Sequence, residues 1–201
     1  MIDDKARNAL LPTNEDTCGP YFPIYFQDES LEDLTRTGPG VVADVAGKQI
    51  ILRGNVYDRH GDLAHGVVLE FWQANAKGIY RTPATAGHAD IDPWFNGYGR
   101  LRAHTGAYSI RTVMPGAAGE RAPNITITIF SDGISRVVTQ MFFPDEANNS
   151  TDPLLAILDS ADKTRLIAKH DGRTADGAEV YLFDMFMAGD NETPFFDDLE
   201  S

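Results

Sequence analysis

Asn124 and Thr126 occupy alternate positions in the segment Asn124-Ile125-Thr126-Ile127-Thr128-Ile129-Phe130. Its period of two is typical of a half-buried strand, so the isoleucines share one face and the polar residues share the other. Two imidazoles at positions 124 and 126 would both point at one metal ion. An amide and a hydroxyl are neutral and far weaker ligands. The segment has the form of a metal-binding strand without its ligands, and it also fits ordinary residues chosen for β-propensity.

The histidines offer no replacement for such a site. All five fall in predicted turns and loops, and no two have the spacing of a metal site: His60, His65, His88, His104 and His170. This scatter does not support an intrinsic zinc or iron centre. The sequence also lacks a glycine-rich phosphate loop and a G-x-S-x-G nucleophile elbow.

Composition excludes several classes of partner. Thirty acidic residues against 17 Lys and Arg give a formal net charge of -13, which repels nucleic acid and anionic membrane surfaces. The single Cys18 cannot form an intrachain disulfide, and with no recognisable signal segment we expect a cytoplasmic protein. No apolar run approaches the roughly 20 residues needed to span a bilayer.

Short strand-like segments separated by turn residues predict a mostly β protein, an antiparallel β-sandwich with a few short peripheral helices. The predicted strands are Gln49–Asp58, Val67–Gln73, Ala107–Met114, Asn124–Phe130, Val137–Phe143 and Glu179–Met187. A hairpin turn at Arg59–Asp62 is predicted between the first two. Helices are predicted at Leu154–Leu158, with Asp152 and Pro153 at its start, and at Ala161–Lys169.

The length of 201 residues suits one packed domain with a terminal arm. We assign the sandwich domain to residues 49–201 and the arm, which packs on its own domain and on a partner subunit, to residues 1–48. The arm contains a short helical segment at Ser30–Leu34. A long stretch from Arg81 to Gly99 is predicted to be a functional or interfacial loop.

Five segments resemble the intradiol ring-cleaving dioxygenases. Thr17-Cys18-Gly19-Pro20-Tyr21 resembles a Thr-x-Gly-Pro-aromatic motif near the start of those chains, and residues 69–80 resemble their Glu-aromatic-Trp-Gln-Ala-x-x-x-Gly-x-Tyr strand and turn. Residues 92–100 and 106–116 continue the same order, and residues 191–197 resemble the carboxyl end of one subunit type. The resemblance covers nearly the whole chain.

The resemblance also implies which residues should bind metal. Catalytic members hold a non-haem Fe(III) with two tyrosines and two histidines. The histidine pair corresponds to Asn124 and Thr126, one tyrosine to Gly87 or His88, and the other to Ala117. With all four ligands replaced, the chain resembles the non-catalytic α-type subunits. We therefore expect an α–β hetero-oligomer in which the catalytic β subunit binds Fe(III) and this chain binds no metal.

The same resemblance implies a role at the partner's pocket. Thr17, Gly19, Pro20 and Tyr21 would line the pocket entrance, where glycine permits close backbone approach and proline fixes the turn. Related chains place an arginine, suited to an anionic aromatic acid, where this chain has Asp132.

Arg136, four positions further along, is the candidate replacement for that arginine. The implied reaction is cleavage by O2 of an ortho-dihydroxy aromatic acid between its hydroxylated carbons. The ring substituent is either a carboxylate or a sulfonate.

Two other classes remain open from the sequence. A single-chain metalloenzyme would have to use His88 and His104, and a stand-alone β-sandwich binding module would need no partner. Iron content distinguishes the first alternative, and a monomeric elution profile with a bound small molecule would favour the second.

Overall fold

The computed structural model describes residues 29–38, 41–42, 44–131 and 135–196. The described chain begins with a 3-10 helix at Glu29–Glu32, followed by a small antiparallel pair of strands, β1 (Arg36–Gly38) and β2 (Val41–Val42). Two larger sheets follow and carry most of the hydrophobic core.

The larger sheet has five strands centred on β3 (Gln49–Tyr57). Its other strands are β6 (Ala107–Val113), β9 (Lys169–Arg173), β10 (Glu179–Leu182) and β11 (Met185–Phe186). On one side β3 pairs antiparallel with β6, and on the other it pairs parallel with β10 and then, at its end, with β11. Strand β9 pairs antiparallel with β10 and forms an edge.

The second sheet consists of β4 (Val67–Gln73), β5 (Tyr98–Ala103), β7 (Asn124–Ser131) and β8 (Ser135–Phe142). These four strands are antiparallel and lie in the order β5-β4-β7-β8. The described chain is thus mostly β, which confirms the predicted fold class. Its sandwich is antiparallel except for β10 and β11, which run parallel to β3.

The core lies between the two sheets because alternate residues of each strand point inward. Ile50 and Leu52 from β3 face Leu69 and Phe71 from β4, together with the isoleucines of β7, and all are fully buried. Burial of one such side chain contributes about 1.5–3 kcal/mol relative to leaving it in water. This alternation leaves the even-numbered residues of β4 and β7 on the outer face of the four-stranded sheet.

Two short helices close one end of β8. Helix α1 (Pro153–Ala156) has Asp152 as its N-cap, and α2 (Ser160–Leu166) has Asp159, and each cap side chain accepts backbone N–H groups of its helix. Leu154, Leu155 and Leu166 from the helices form a second buried cluster with Phe142 of β8 and with Ala122, which precedes β7. Both predicted helices are present, although α2 ends at Leu166 rather than Lys169.

Several predicted elements differ from the structure. The turn after β3 forms, with Asp58 Oδ1 accepting the N–H groups of His60 at 2.7 Å and Asp62 at 3.0 Å. An antiparallel bridge between Tyr57 and Leu63 closes it, so the predicted hairpin turn is present. It does not pair β3 with β4, because these two strands belong to different sheets. The predicted strand at Glu179–Met187 is two strands, because Phe183 and Asp184 interrupt it and Asp184 accepts the N–H of Asn55 at 2.8 Å.

Candidate functional site

Asn124 and Thr126 lie on the outer face of β7, opposite the core-facing isoleucines, as their alternation predicts. Asn124 is 4% exposed, and its Nδ2 donates to the carbonyl of Ala122 at 2.7 Å. Thr126 is half-buried between Trp72 of β4 and Gln140 of β8. The amide of Asn124 is therefore committed to holding the start of β7.

An ion pair lies beside these two positions. Arg121 Nε donates to Asp152 Oδ2 at 2.9 Å, and its Nη2 donates to Gln140 Oε1 at 2.5 Å. Asp152 is fully buried, and it also accepts the N–H groups of Ala122 at 2.8 Å, Leu154 at 2.9 Å and Leu155 at 3.1 Å. One guanidinium and one carboxylate compensate each other, so this region is close to electrically neutral. Because the charges and hydrogen-bonding groups of this network are paired with one another, it needs no metal cation to neutralise it.

Aromatic residues lie next to the ion pair. Trp72 and Tyr80 stack with ring centroids 5.9 Å apart. Burial raises the pKa of Tyr80, and the positive charge of Arg121 partly opposes that rise. Tyr80 is consequently a neutral phenol at neutral pH, unlike a metal-bound tyrosinate.

Ala117 lies on a loop packed against the turn that follows β4. Gly116 N donates to Asn75 O at 2.9 Å, and Asn75 Oδ1 accepts from Lys77 N at 2.9 Å and Ile79 N at 3.0 Å. Gly78 has φ +79°, and a Cβ there would lie 1.9 Å from the carbonyl oxygen of Ala117. The Asn-x-x-Gly turn thus needs glycine for both conformation and space. Ala117 itself is exposed and offers no ligand atom on its side chain.

His88 lies in the long loop between Tyr80 and β5. It is exposed, and its Nδ1 accepts the N–H of Asp90 at 3.1 Å. The loop is fastened to the β4 turn by Lys77 Nζ, 2.6 Å from Asp90 Oδ1, and by Asn75 Nδ2, which donates to Asp90 O at 2.8 Å. His104, the second histidine of the single-chain metalloenzyme alternative, follows the carboxyl end of β5 and is also exposed.

The donor set therefore does not fit the iron centre that the resemblance attributes to catalytic members. Position 117 carries a methyl group, position 124 an amide that is hydrogen-bonded to the backbone, and position 126 a hydroxyl. Within the ranges that the structure describes, no group of three or more His, Cys, Asp or Glu could hold a metal ion. No part of the reaction is accordingly assigned to iron held by this chain.

Of the predicted pocket-wall residues, only Arg136 lies among the described residues. Thr17, Gly19, Pro20, Tyr21 and Asp132 lie outside them. Arg136 pairs with Phe130 across the sheet, and its position four residues before Gln140 places both on the outer face with Thr126. At about 3.3 Å per residue, Arg136 is roughly 13 Å along the strand from Gln140.

Residues 70–73, which belong to the segment that resembles the family's strand and turn, form hydrogen bonds on both faces of β4. On the outer face, Glu70 accepts from Tyr98 Oη at 3.0 Å and Arg100 Nε at 2.8 Å, and burial followed by the Glu70 carboxylate raises the pKa of Tyr98 to about 12. On the inner face, Gln73 is 1% exposed and joins the two sheets by donating to Val113 O at 2.9 Å and accepting from Thr112 Oγ1 at 2.7 Å. The motif fixes the scaffold around the site.

Sequence reasoning missed the network of Arg121, Gln140 and Asp152. Asp152 was predictable as a helix cap, and the structure confirms the cap, but its pairing with Arg121 spans 31 residues of sequence. Arg121 stands three residues before Asn124, the first of the two positions predicted to correspond to the histidine ligands. This closeness in sequence is the signal that could have indicated a role for Arg121 at the site.

Comparison with known proteins identifies the family. A dioxygenase family model matches residues 18–189, most of the chain. The chain is 36% identical over 203 residues to the protocatechuate 3,4-dioxygenase alpha chain of Pseudomonas putida, covering 94% of this chain and 98% of that one. The chain belongs to the intradiol dioxygenase family.

Other intradiol dioxygenases support the same membership. The chain is 33% identical to the protocatechuate 3,4-dioxygenase alpha chain of Burkholderia cepacia, covering 94% of this chain and 98% of that one. It is 31% identical to the beta chain from the same organism, covering 92% of this chain and 84% of the other.

A solved structure shows the same fold. The dioxygenase domain of a carbohydrate-binding fusion protein from Streptomyces sp. SirexAA-E superposes with a TM-score of 0.60 at 24% identity, covering 81% of this chain and 88% of that one. None of the helices in the described residues combines the length and apolar character needed to cross a membrane.

Proposed function

We propose that this chain is the non-catalytic α subunit of an intradiol dioxygenase in which a homologous β subunit binds Fe(III). The observation that carries the proposal is the replacement of ligands at Asn124, Thr126 and Ala117 in a chain that otherwise matches α chains along almost its full length. The Arg121–Asp152 pair supports it, because a neutral hydrogen-bonded network lies beside the lost ligand positions. Fold and catalytic site are separable, so a scaffold retains a use after losing its metal.

In this proposal the reaction joins both atoms of O2 to an aromatic ortho-diol acid and opens the ring between the hydroxylated carbons. The iron chemistry belongs to β. This chain contributes assembly contacts and, through Thr17, Gly19, Pro20 and Tyr21, a wall at the entrance of the partner's pocket. A cytoplasmic location is part of the proposal and rests on the single cysteine.

The proposal is tested by producing the chain alone, β alone, and both together. We expect ring cleavage of protocatechuate to be substantial only when both are present, with the two chains eluting together. The exposed apolar side chains Trp94, at 53%, and Ile157, at 79%, are candidates for burial in that complex. Equal activity of β with and without this chain, or a monomeric chain indifferent to β, would favour the stand-alone binding module.

Partner binding should also stabilise the chain. A partner that binds only the folded state raises its apparent stability by about 2.7 kcal/mol at a free concentration a hundredfold above Kd. Thermal melting of the co-expressed complex should therefore lie above that of the chain alone.

The pocket-wall role has its own test. Replacing Gly19 with valine should raise the KM of the complex while leaving its iron content unchanged, because a side chain would enter space that the pocket needs. Unchanged steady-state kinetics would return the 17–21 segment to a structural role.

The ring substituent is tested by comparing protocatechuate with the corresponding sulfonated catechol. Asp132 in place of a basic residue motivates the comparison. A higher kcat/KM for the sulfonate would make the sulfonated catechol the preferred substrate.

A further inference from the structure

The long loop between Tyr80 and β5 contains an open pocket of about 410 Å3. Its lining is mostly apolar and consists of Arg81, Thr82, Pro83, Ala86, Ile91 and Pro93. Small-molecule sites in proteins typically have volumes of roughly 300–1,000 Å3 and mostly apolar walls with a few polar groups that orient the ligand. This pocket has that character, and its one charged lining residue is an arginine.

Arg81 uses only one part of its guanidinium to hold the loop together. Its Nη1 donates to the carbonyl of Pro93 at 2.8 Å and to Asn96 Oδ1 at 3.0 Å. Its Nε–H and Nη2–H groups have no hydrogen-bond acceptor among the described residues. These two groups form one edge of a planar fork, and that edge matches the two oxygens of a carboxylate.

The positive charge of Arg81 is also without an acidic partner. Among the residues that the structure describes, Arg81 forms no ion pair, although the whole chain has a formal net charge of -13. The nearby acids of the loop have other partners, since Asp90 pairs with Lys77 at 2.6 Å and Asp92 accepts two backbone N–H groups, each at 2.9 Å. The guanidinium is therefore available to a ligand that supplies its own carboxylate.

Hydrogen bonds hold both walls of the pocket in place before any ligand binds. Pro83–Thr85 forms a 3-10 turn, and Thr85 Oγ1 donates to the carbonyl of Tyr80 at 2.5 Å. On the other wall, Asn75 Nδ2 donates to the carbonyl of Asp90 at 2.8 Å and ties the loop to the turn after β4. A site whose walls are already ordered loses less conformational entropy on binding.

We propose that this pocket binds a small aromatic carboxylate with Arg81 as its anchoring cation. The carboxylate bonds Nε and Nη2 of Arg81, and the ring lies against the apolar surface of Ile91, Pro83 and Pro93. These three side chains carry no hydrogen-bonding group, so they favour a flat apolar body over a sugar or a polyol. The site belongs to this chain and requires neither the partner subunit nor iron.

The test is a titration of the full-length chain, purified alone, with benzoate. Amide chemical shifts locate the site, and calorimetry gives Kd. We expect saturable binding in the millimolar range, because an open pocket buries only part of a small ligand, with the largest shift changes at residues 81–86 and 91–96. Absence of saturable benzoate binding, or shift changes confined to other parts of the chain, would overturn the proposal.

Two comparison ligands test the chemical class. Benzyl alcohol keeps the ring without the charge, and acetate keeps the charge without the ring. Each should bind about tenfold more weakly than benzoate or worse, because each loses one of the two contacts. Acetate that binds as tightly as benzoate would reduce the pocket to a general anion site, and the aromatic class would be wrong.

Substitutions of Arg81 test the anchoring cation. Arg81→Gln should raise the Kd for benzoate about tenfold or more, because it removes the charge and the fork. Arg81→Lys keeps the charge without the fork and should give an intermediate Kd. Arg102→Gln is the matched control, since Arg102 is likewise exposed and without an ion pair among the described residues but lies on β5, outside the pocket lining. It should leave Kd unchanged, and an equal loss in this control would mean that net charge alone determines binding.

Ala86→Asp tests the same site without changing Arg81. Ala86 is exposed, so the chain should fold, and the introduced carboxylate repels the ligand or takes its place on the guanidinium. Benzoate binding should be lost. Hydrogen exchange at the amides of Ile91 and Phe95, which bond within the loop, shows whether the loop stays closed in each variant. An unchanged Kd in Ala86→Asp, or in Arg81→Gln with a closed loop, would show that benzoate does not bind at Arg81.

Discussion

Asp152 and Glu179 are both buried carboxylates with basic partners, but their surroundings differ. Asp152 is held by three backbone N–H groups in addition to Arg121. Glu179, with a side chain 4% exposed, is surrounded by three basic side chains that are themselves about half exposed or more: Lys48 at 56%, His170 at 47% and Arg173 at 67%. The first carboxylate joins a helix to the sheet beside Asn124, and the second holds the edge strand β9.

The two regions compensate a buried carboxylate in different ways. Beside Asn124 the network has one positive and one negative group and is bound to the backbone, so it is stable without any ion. At the sheet edge an excess of positive groups surrounds one carboxylate, and solvent screens their mutual repulsion. Charged residues along β9 also protect an exposed edge from pairing with other chains.

The largest effect is expected from Asp152→Ala. It leaves Arg121 without its carboxylate, removes the N-cap of α1 and frees the Ala122 N–H. Breaking a buried pair from one side costs about 3–5 kcal/mol. Urea unfolding should show this loss, and a loss under about 1 kcal/mol would mean that the network does not stabilise the site.

The second effect is a change in pH dependence on replacing Glu179 with glutamine. Hydrogen bonds from Arg173, then His170 and Lys48, lower the pKa of Glu179 to about 2. A pKa lowered in the folded state gives stability that is present above the unfolded value near 4.3 and is lost as pH falls towards 2. Between pH 5 and 2 the urea midpoint should therefore fall less steeply in Glu179→Gln than in wild type, and parallel slopes would contradict the assignment.

A smaller effect is expected from Gln140→Ala, which removes only the neutral partner of Arg121. A hydrogen bond to a charged group contributes about 1.5–3 kcal/mol, and the Asp152 pair remains in place. A double-mutant cycle with Asp152→Ala should show coupling between these two sites, because both bond the same guanidinium. Strict additivity would mean that the two bonds act independently.

The smallest effect is expected from Asp171→Ala in β9. Asp171 pairs with Arg53 at 2.7 Å, and the two side chains are 45% and 49% exposed. An exposed pair contributes about 0–1 kcal/mol, so the change in unfolding free energy should stay within that range and shrink further in high salt. A loss as large as that of Asp152→Ala would remove the distinction between the two regions.

The sequence predicted the strands whose alternation is strong and missed those whose apolar signal is weak. Strand β5 alternates in burial, but Leu101 is its one large inward-facing apolar residue, because Gly99 and Ala103 have little or no side chain. Strand β9 is exposed at all five residues, so the apolar signal of both strands is weak. Their existence depends on pairing with β4 and β10, which local sequence does not specify.

The sequence predicted the absence of metal ligands at the candidate site, but it did not predict the hydrogen-bonded network found there. Alternation placed Asn124 and Thr126 on one face, and the family resemblance indicated which ligands they replaced. The Arg121–Asp152 pair requires α1 to pack beside the start of β7, a tertiary contact that no spacing in the sequence reveals. The direction of Arg136 likewise follows only from its register with Phe130.

We propose that this chain completes a dioxygenase without binding its iron. The decisive measurement is the iron content and visible spectrum of the chain purified alone, compared with the α–β complex. We expect iron and a tyrosinate-to-Fe(III) absorption band in the complex and neither in the isolated chain. Near-stoichiometric iron with that band in the isolated chain would show that the proposal is wrong.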